Sequence, residues 1–150
     1  TTGLMFPSSV MFDAYQNRRQ SRTIALNDKC VLVVSGEGNG RIRVSKRDMT
    51  GQELASRVIE GEIVARYPES QVGESESGAV FVNLARGRKH HLVVLTPSLE
   101  QVFETPPLSD IEHVALQPDG SVVARAQMDN GLRYLFKADP TGKVVWGSRE

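Results

Sequence analysis

The chain contains three histidines, of which His90 and His91 are adjacent and His113 lies in a later part of the sequence. An imidazole binds a metal ion or serves as a general base when it converges with carboxylates or a nucleophile. Adjacent residues of a β-strand point to opposite faces of the sheet, so His90 and His91 are not expected to share a ligand. No carboxylate lies at a metal-ligand spacing from either ring. The sequence therefore predicts no metal site, no catalytic residue and no cofactor, and it leans against an enzyme.

The densest group of charged side chains is cationic and lies at residues 86–91, which we call the basic loop. A hairpin tip with so many cationic groups is able to contact phosphate, sulfate or an acidic partner. No aromatic residue is interleaved to stack on bases, and a solvated loop is the simpler alternative. The basic loop is the candidate site for a polyanion or a protein partner. Its candidate binding residues are Arg86, Arg88, Lys89, His90 and His91.

Two further features have structural interpretations. Cys30 is the only cysteine, which excludes an internal disulfide and a cysteine zinc cluster, and a small strand residue is expected there. The glycine-rich residues 36–40 could suggest a phosphate loop, but such a loop needs a following helix. Residues 41–44 continue as an alternating strand, so we predict a hairpin turn.

The sequence repeats itself. Two stretches align without a gap at an offset of 91 residues, and a third copy lies between them at an offset of 42 residues from the last. Repeats of this length are typical of stacked supersecondary units. We therefore divide a single domain of residues 1–150 into an N-terminal extension or shared strand at 1–21 and repeats at 22–60, 61–107 and 108–150. The recurring residues include Asp28, Asn39, Gly40, Asp48 and Gly51, which return as Asp119, Asn130, Gly131, Asp139 and Gly142.

The third repeat shows most clearly that the repeating unit is a β-sheet. Short runs rich in Val, Leu and aromatic residues occupy 111–116, 122–126, 132–138 and 143–146. Between them lie Pro, Asp, Asn and Gly, and the Asn130-Gly131 pair is a strong hairpin signal. The spacing predicts a four-stranded antiparallel meander. The first repeat follows the same plan, whereas the first strand of the second repeat comes either from residues 62–67 or from around Val72.

The third repeat also resembles a known family of repeats. Residues 120–146 resemble the degenerate repeats of bacterial β-propellers, whose blades are about 42–49 residues long and end in a turn and an outer strand with tryptophan. The resemblance covers residues 24–146. It implies an all-β fold of three four-stranded antiparallel meanders stacked as propeller-like blades. Tyr134, Phe136 and Trp146 lie in the best-patterned strands and are expected to cover the next sheet, and the alternative is an aromatic platform for a carbohydrate. Propellers serve as scaffolds, receptors, lectins and enzymes, so the resemblance says little about activity.

Three repeats are fewer than the four to eight blades of a closed propeller. Three stacked sheets are therefore expected to leave two apolar end faces exposed, and the chain is expected to be an incomplete or oligomer-completed propeller rather than an isolated monomer. Residues 10–15 form a further strand-like stretch that another segment or subunit could share.

The resulting functional expectation is a noncatalytic interaction or scaffold module that binds a protein partner or assembles with itself. The alternatives are a fragment or subunit of a larger propeller enzyme, and a polyanion-binding protein that uses the basic loop. Because 18 basic and 18 acidic side chains cancel, no global field selects a nucleic acid or an anionic membrane. No apolar run approaches the roughly 20 residues of a membrane helix, so membrane insertion is not expected.

Overall fold

The computed structural model describes residues 21–63 and 71–149, which form strands and turns without a helix. No helix within these two ranges is therefore long and apolar enough to cross a membrane. The strand-like residues 10–15 lie outside the described part of the chain. The strands are β1 (Ser21–Ala25), β2 (Val31–Gly36), β3 (Arg41–Arg47), β4 (Glu53–Glu60), β5 (Glu62–Ile63), β6 (Val72–Glu74), β7 (Val80–Arg86), β8 (Lys89–Leu95), β9 (Gln101–Glu104), β10 (Asp110–Leu116), β11 (Val122–Gln127), β12 (Arg133–Ala138) and β13 (Val144–Arg149).

The strands form three antiparallel sheets, each drawn from one continuous segment of the chain. The first sheet has the order β1-β2-β3-β4, the middle sheet β5-β7-β8-β9, and the third sheet β10-β11-β12-β13. Apart from β5 and β6, which both pair with β7, neighbours along the chain are neighbours in each sheet, because tight turns connect antiparallel strands. The all-β class and the three four-stranded meanders predicted from the sequence are confirmed.

The first strand position of the middle sheet is shared by two short strands. β5 pairs with the far half of β7, where Ile63 lies opposite Leu84, and β6 pairs with the near half, where Val72 lies opposite Val82. The two segments that the sequence left as alternatives therefore both pair with β7. Residues 64–70, which connect them, lie outside the described residues.

Two hydrophobic cores hold the sheets together, and the middle sheet contributes to both. Successive side chains of a strand alternate between faces, so β7 directs Val82 and Leu84 into the first core and Phe81 into the second. The first core joins the first and middle sheets and includes Leu32, Val34, Ile42, Val44, Val93 and Leu95. The second core joins the middle and third sheets and includes Leu92, Val94, Ile111, Val122, Ala124 and Ala126.

The outward faces of the two end sheets carry ion pairs. On the first sheet, Arg43 Nε lies 3.1 Å from Glu37 Oε1, and Arg43 alternates with the core residues Ile42 and Val44. On the third sheet, Glu112 lies 3.7 Å from Arg125 and 3.3 Å from Arg133. The outward faces are therefore not wholly apolar. Their charged side chains lie beside exposed apolar ones, such as Val58 opposite Arg43 and Trp146 opposite Lys137.

Two turns have the same hydrogen bonding. In the β3–β4 turn, Asp48 Oδ1 accepts hydrogen bonds from the Thr50 amide at 2.9 Å and the Thr50 hydroxyl at 2.6 Å. In the β12–β13 turn, Asp139 Oδ1 accepts from the Thr141 amide at 2.9 Å and the Thr141 hydroxyl at 2.6 Å. The threonine side chain is the main cause that lowers the pKa of each aspartate below its ordinary value. Both turns are thus stabilised by an ionised carboxylate.

This pKa shift predicts a loss of stability in acid. Because both carboxyls have a folded pKa below their ordinary 3.8, the unfolded chain binds more protons as the pH falls through 3.8. The free energy of unfolding should therefore decrease below about pH 4. Urea titrations at pH 5 and pH 3 should show a smaller decrease for Asp48→Asn/Asp139→Asn, and an intermediate one for Thr50→Val/Thr141→Val. An unchanged decrease in the double asparagine variant would contradict this assignment.

Candidate functional site

Arg86, at the end of β7, is held by two neighbours. Its Nη2 atom lies 2.7 Å from Oε1 of Glu104 on β9. Its Nε atom donates a hydrogen bond to the carbonyl oxygen of Glu60, the last residue of β4, at 2.9 Å. The hydrogen bond from Arg86 is the main cause that lowers the pKa of Glu104. Arg86 therefore connects the first sheet to the middle sheet, and a carboxylate balances its charge.

Lys89, the first residue of β8, makes a corresponding connection to the third sheet. It forms an ion pair with Asp129 in the turn between β11 and β12. Asp129 Oδ1 also accepts a hydrogen bond from the Ser109 hydroxyl at 2.8 Å. The bonds from Lys89 and then Ser109 lower the pKa of Asp129 below its ordinary value. The charge of Lys89 is therefore also balanced within the chain.

The two adjacent histidines lie near different groups. His90 exchanges backbone hydrogen bonds with Leu108, and its Nδ1 atom lies 3.7 Å from Asp110 Oδ1. His91 is buried, with its Nδ1 atom 3.3 Å from the Thr105 carbonyl oxygen and 3.9 Å from Glu104 Oε2. The rings do not converge on one point. Within the described ranges, no group of three or more His, Cys, Asp or Glu is placed to hold a metal ion.

Only part of the basic loop is therefore exposed to solvent, and the rest is packed against neighbouring strands. Arg88 is exposed at the turn, whereas Arg86, Lys89 and His90 are partly buried and His91 is buried. The sequence expectation placed all five at one exposed tip, and the structure does not bring them together there. The reason is that two of the cations form ion pairs with carboxylates distant in the sequence. Arg86 pairs with Glu104 on β9, and Lys89 pairs with Asp129 in the β11–β12 turn.

An apolar concavity lies elsewhere, between β9 of the middle sheet and strands β12 and β13 of the third sheet. We call it the outer cleft. It has a volume of about 290 Å³, and its walls are almost entirely apolar. Side chains of β12 at alternate positions, Tyr134 and Phe136, form one wall, and Phe103 of β9 faces them. Its other lining side chains include Pro106, Leu108, Met128 and Val144.

Sequence reasoning missed the outer cleft. Tyr134 and Phe136 share one face, and this alternation was the available signal, but their half-buried state depends on the separation of β9 from β13. The β12–β13 turn approaches β9 at one end of the cleft, where a Cβ built on Gly142 would lie 2.6 Å from the Phe103 Cβ atom. Trp146 was expected to cover the next sheet and is instead 42% exposed, so that expectation is wrong.

The strand beside the outer cleft is an exposed sheet edge. All six residues of β13 are exposed, and β12 is its only neighbour among the described strands. Val144 is 59% exposed and Val145 is 56% exposed. An edge strand offers unpaired backbone N–H and C=O groups, which another strand can complete. The outer cleft and β13 together form a surface with both apolar and backbone hydrogen-bonding capacity.

Two polar side chains are buried in or next to the middle sheet. Asn83 and Gln71 are fully buried, and the backbone N–H of Asn83 donates a hydrogen bond to the backbone carbonyl oxygen of Gln71 at 2.8 Å. Arg22 on β1 donates a hydrogen bond to Gln71 Oε1. The side-chain amide of Asn83 has no hydrogen-bond partner among the described residues. A buried amide without a hydrogen-bond partner costs about 1–3 kcal/mol.

Cys30 is a free, partly buried thiol beside Asp28. Desolvation is the main cause that raises the pKa of the Cys30 thiol, and the nearby carboxylate adds to it. A raised pKa reduces the thiolate fraction, and the thiolate is the nucleophilic form. Cys30 was expected within a strand and lies instead immediately before the first residue of β2.

Comparisons with known proteins do not place the chain in a family. No family model matches it, and no curated protein matches it. Its structure is similar to the crystal structure of a protein of unknown function from Bacteroides caccae, with a TM-score of 0.43 and 13% sequence identity. The similarity covers 98% of this chain and 70% of that one. A likeness of this size defines neither a family nor a function.

Proposed function

We propose that the chain is a noncatalytic, propeller-type interaction module that binds a protein partner or another copy of itself. The observation that carries this proposal is the outer cleft beside the exposed edge β13. An apolar concavity of about 290 Å³ accepts one or two large apolar side chains, and the adjacent edge accepts a backbone. Aromatic and methionine side chains such as Tyr134 and Met128 are also the types enriched in protein interfaces.

The propeller-type arrangement is supported by the strands at the inner side of the stack. β6 of the middle sheet lies against both β1 of the first sheet and β10 of the third. The first strands of propeller blades similarly surround a central axis, with the later strands further out. The matched aspartate turns at Asp48 and Asp139 support a common origin for the first and third sheets. In this proposal the three sheets are consecutive blades.

A crosslinking experiment tests the interaction. A photoreactive amino acid placed at Met128, on the rim of the outer cleft, should form adducts of discrete mass in an extract of the native cells or with the chain alone. The control site is Met49, which is exposed on a turn of the first sheet away from the cleft. The Met128 adduct should disappear when Val144→Asp is added, since Val144 lines the cleft. Equal adduct formation at Met49 and Met128, or none at either, would overturn the proposal.

The polyanion alternative leads to a second experiment, for which we expect a negative result. Because Arg86 and Lys89 are paired with Glu104 and Asp129, the chain should not be retained on heparin at about 0.15 M salt. Arg88→Ala should elute at the same salt concentration as the unmodified chain. Retention that falls with salt and is lost in Arg86→Ala/Arg88→Ala/Lys89→Ala would show instead that the basic loop binds polyanions.

A further inference from the structure

We propose that copies of the chain join head to tail, with β13 of one copy pairing with β4 of the next. This inference rests on the proposed function, and it specifies the partner as a second copy and the surfaces as two sheet edges. The surfaces differ from one another, so the interface is heterologous.

The three outer edges of the stack differ in how well they are protected. β4, β9 and β13 each have one strand neighbour among the described residues. β9 has only four residues, and short strands make poor templates for pairing. β4 has eight residues and β13 has six. The long edges that remain available are therefore at opposite ends of the chain, on the first and third sheets.

β13 is an edge with an apolar and uncharged centre. From Val144 to Ser148 it carries no charged side chain, and Val144, Val145 and Trp146 follow one another directly. Charges are the common protection of an edge strand, and they are absent from the centre of this one. Its two ends are cationic, because Lys143 lies just before the strand and Arg149 is its last residue.

β4 complements β13 in charge and in apolar exposure. Its first and last residues are Glu53 and Glu60. Glu53 Oε1 also lies 3.9 Å from Arg43 and 4.0 Å from Arg47 of β3, so part of its charge is balanced within its own sheet. Leu54 is 54% exposed and Val58 is 45% exposed. The one cation within β4, Arg57, donates a hydrogen bond to the carbonyl oxygen of Leu99 in the middle sheet at 3.4 Å. Acidic ends and exposed aliphatic side chains therefore define this edge.

The charges favour pairing between the two unlike edges over pairing of like edges. If β13 paired antiparallel with its own copy about Trp146, Lys143 would lie opposite Arg149. If β4 paired with its own copy, Glu53 would lie near Glu60. Like charges directly opposite one another destabilise a strand pair, and opposite charges stabilise it. Lys143 and Arg149 are six positions apart, and Glu53 and Glu60 are seven apart. When β13 meets β4, one cation therefore lies directly opposite a carboxylate and the other lies one position away from one, whether the two strands run parallel or antiparallel.

A heterologous interface does not stop at two copies. Each added copy presents a free β13 at one end and a free β4 at the other, so growth continues until a ring closes or a filament forms. The assembly should therefore have a mass well above the 16.5 kDa of one chain, and the mass should rise with protein concentration.

Charge reversal tests the pairing. In sedimentation or light scattering at low salt, Lys143→Glu/Arg149→Glu and Glu53→Lys/Glu60→Lys should each be monomeric, because each variant places like charges on both of its edges. An equimolar mixture should assemble again, since each edge then finds an oppositely charged edge on the other variant. Lys29→Glu/Arg88→Glu, which makes the same change in net charge as Lys143→Glu/Arg149→Glu but on exposed turns, should assemble like the unmodified chain.

Three results would overturn the inference: an unmodified chain that is monomeric at every concentration, variants that assemble alone, or a mixture that stays monomeric although both variants show the β-sheet circular dichroism of the unmodified chain. A monomeric chain that still forms the Met128 crosslink to a different protein would leave the proposed function intact. A chain that neither assembles nor crosslinks would refute both.

Discussion

Leu84→Ala is expected to lower the free energy of unfolding by about 3 kcal/mol. Leu84 is fully buried in the first core, opposite His91 on β8 and Ile63 on β5. Removing its branched side chain loses transfer free energy and leaves a cavity that a strand paired on both sides cannot close. Urea unfolding monitored by the fluorescence of Trp146 and by circular dichroism measures the effect. Val145→Ala, at an exposed position, should cost less than about 0.5 kcal/mol.

Leu92→Ala provides the matched test in the second core. Leu92 is fully buried on the opposite face of the middle sheet. Because the middle sheet supplies side chains to both cores, neither core can be lost while the other stays intact. Leu84→Ala and Leu92→Ala should therefore shift the same single unfolding transition, in both signals. Separate transitions, with one variant affecting only fluorescence, would show that the cores unfold independently.

Gly142→Ala is expected to lower the free energy of unfolding by about 2–4 kcal/mol, combining backbone strain with overpacking. Gly142 has a φ of +90°, and a Cβ there would lie 2.6 Å from Cβ and 2.8 Å from Cγ of Phe103. Phe103 Cβ is fixed to the backbone of β9, so the turn or the strand must move. The outer cleft should widen at this end.

Gly51→Ala is the matched control, because the two glycines occupy corresponding turns. Gly51 has a φ of +87°, and a Cβ there would meet no atom within 4 Å. Its replacement should therefore cost only the backbone strain, about 1–2 kcal/mol. The difference between the variants measures the contact between the middle and third sheets. Equal losses of stability, determined by urea unfolding, would contradict the close approach of Gly142 to Phe103.

The strands were predictable because their signals are local. The Asn130-Gly131 pair and the Pro118-Asp119-Gly120 turn mark chain reversals through their own backbone preferences. Between such turns, the runs of β-branched and aromatic residues leave little choice of element. The observed strands of the third sheet accordingly begin and end within one residue of those expected, except at the end of β13.

The divided strand position in the middle sheet was not predictable. β5 and β6 are two and three residues long, too short to show an alternating pattern of their own. Their positions are fixed by β7, whose partners on that side include Ile63 and Val72. A strand of two or three residues, whose position is fixed by pairing with its neighbour, shows no periodic pattern in its own sequence.

The candidate site was misjudged for a related reason. The sequence places Arg86 and Lys89 in one loop, but their carboxylate partners, Glu104 and Asp129, lie on other strands or sheets. Nothing in the spacing of charges reveals an ion pair between residues 40 positions apart, such as Lys89 and Asp129. The outer cleft likewise depends on how far apart β9 and β13 lie, which is a tertiary property.

The burial of the middle sheet on both faces has a consequence during biosynthesis. The ribosome completes the first and middle sheets before it adds the third, which spans roughly 40 further residues and takes a few seconds to synthesise. During that interval the face with Phe81, Leu92 and Val94 has no cover. Exposed hydrophobic surface of this kind makes a nascent chain prone to aggregate until the third sheet covers it.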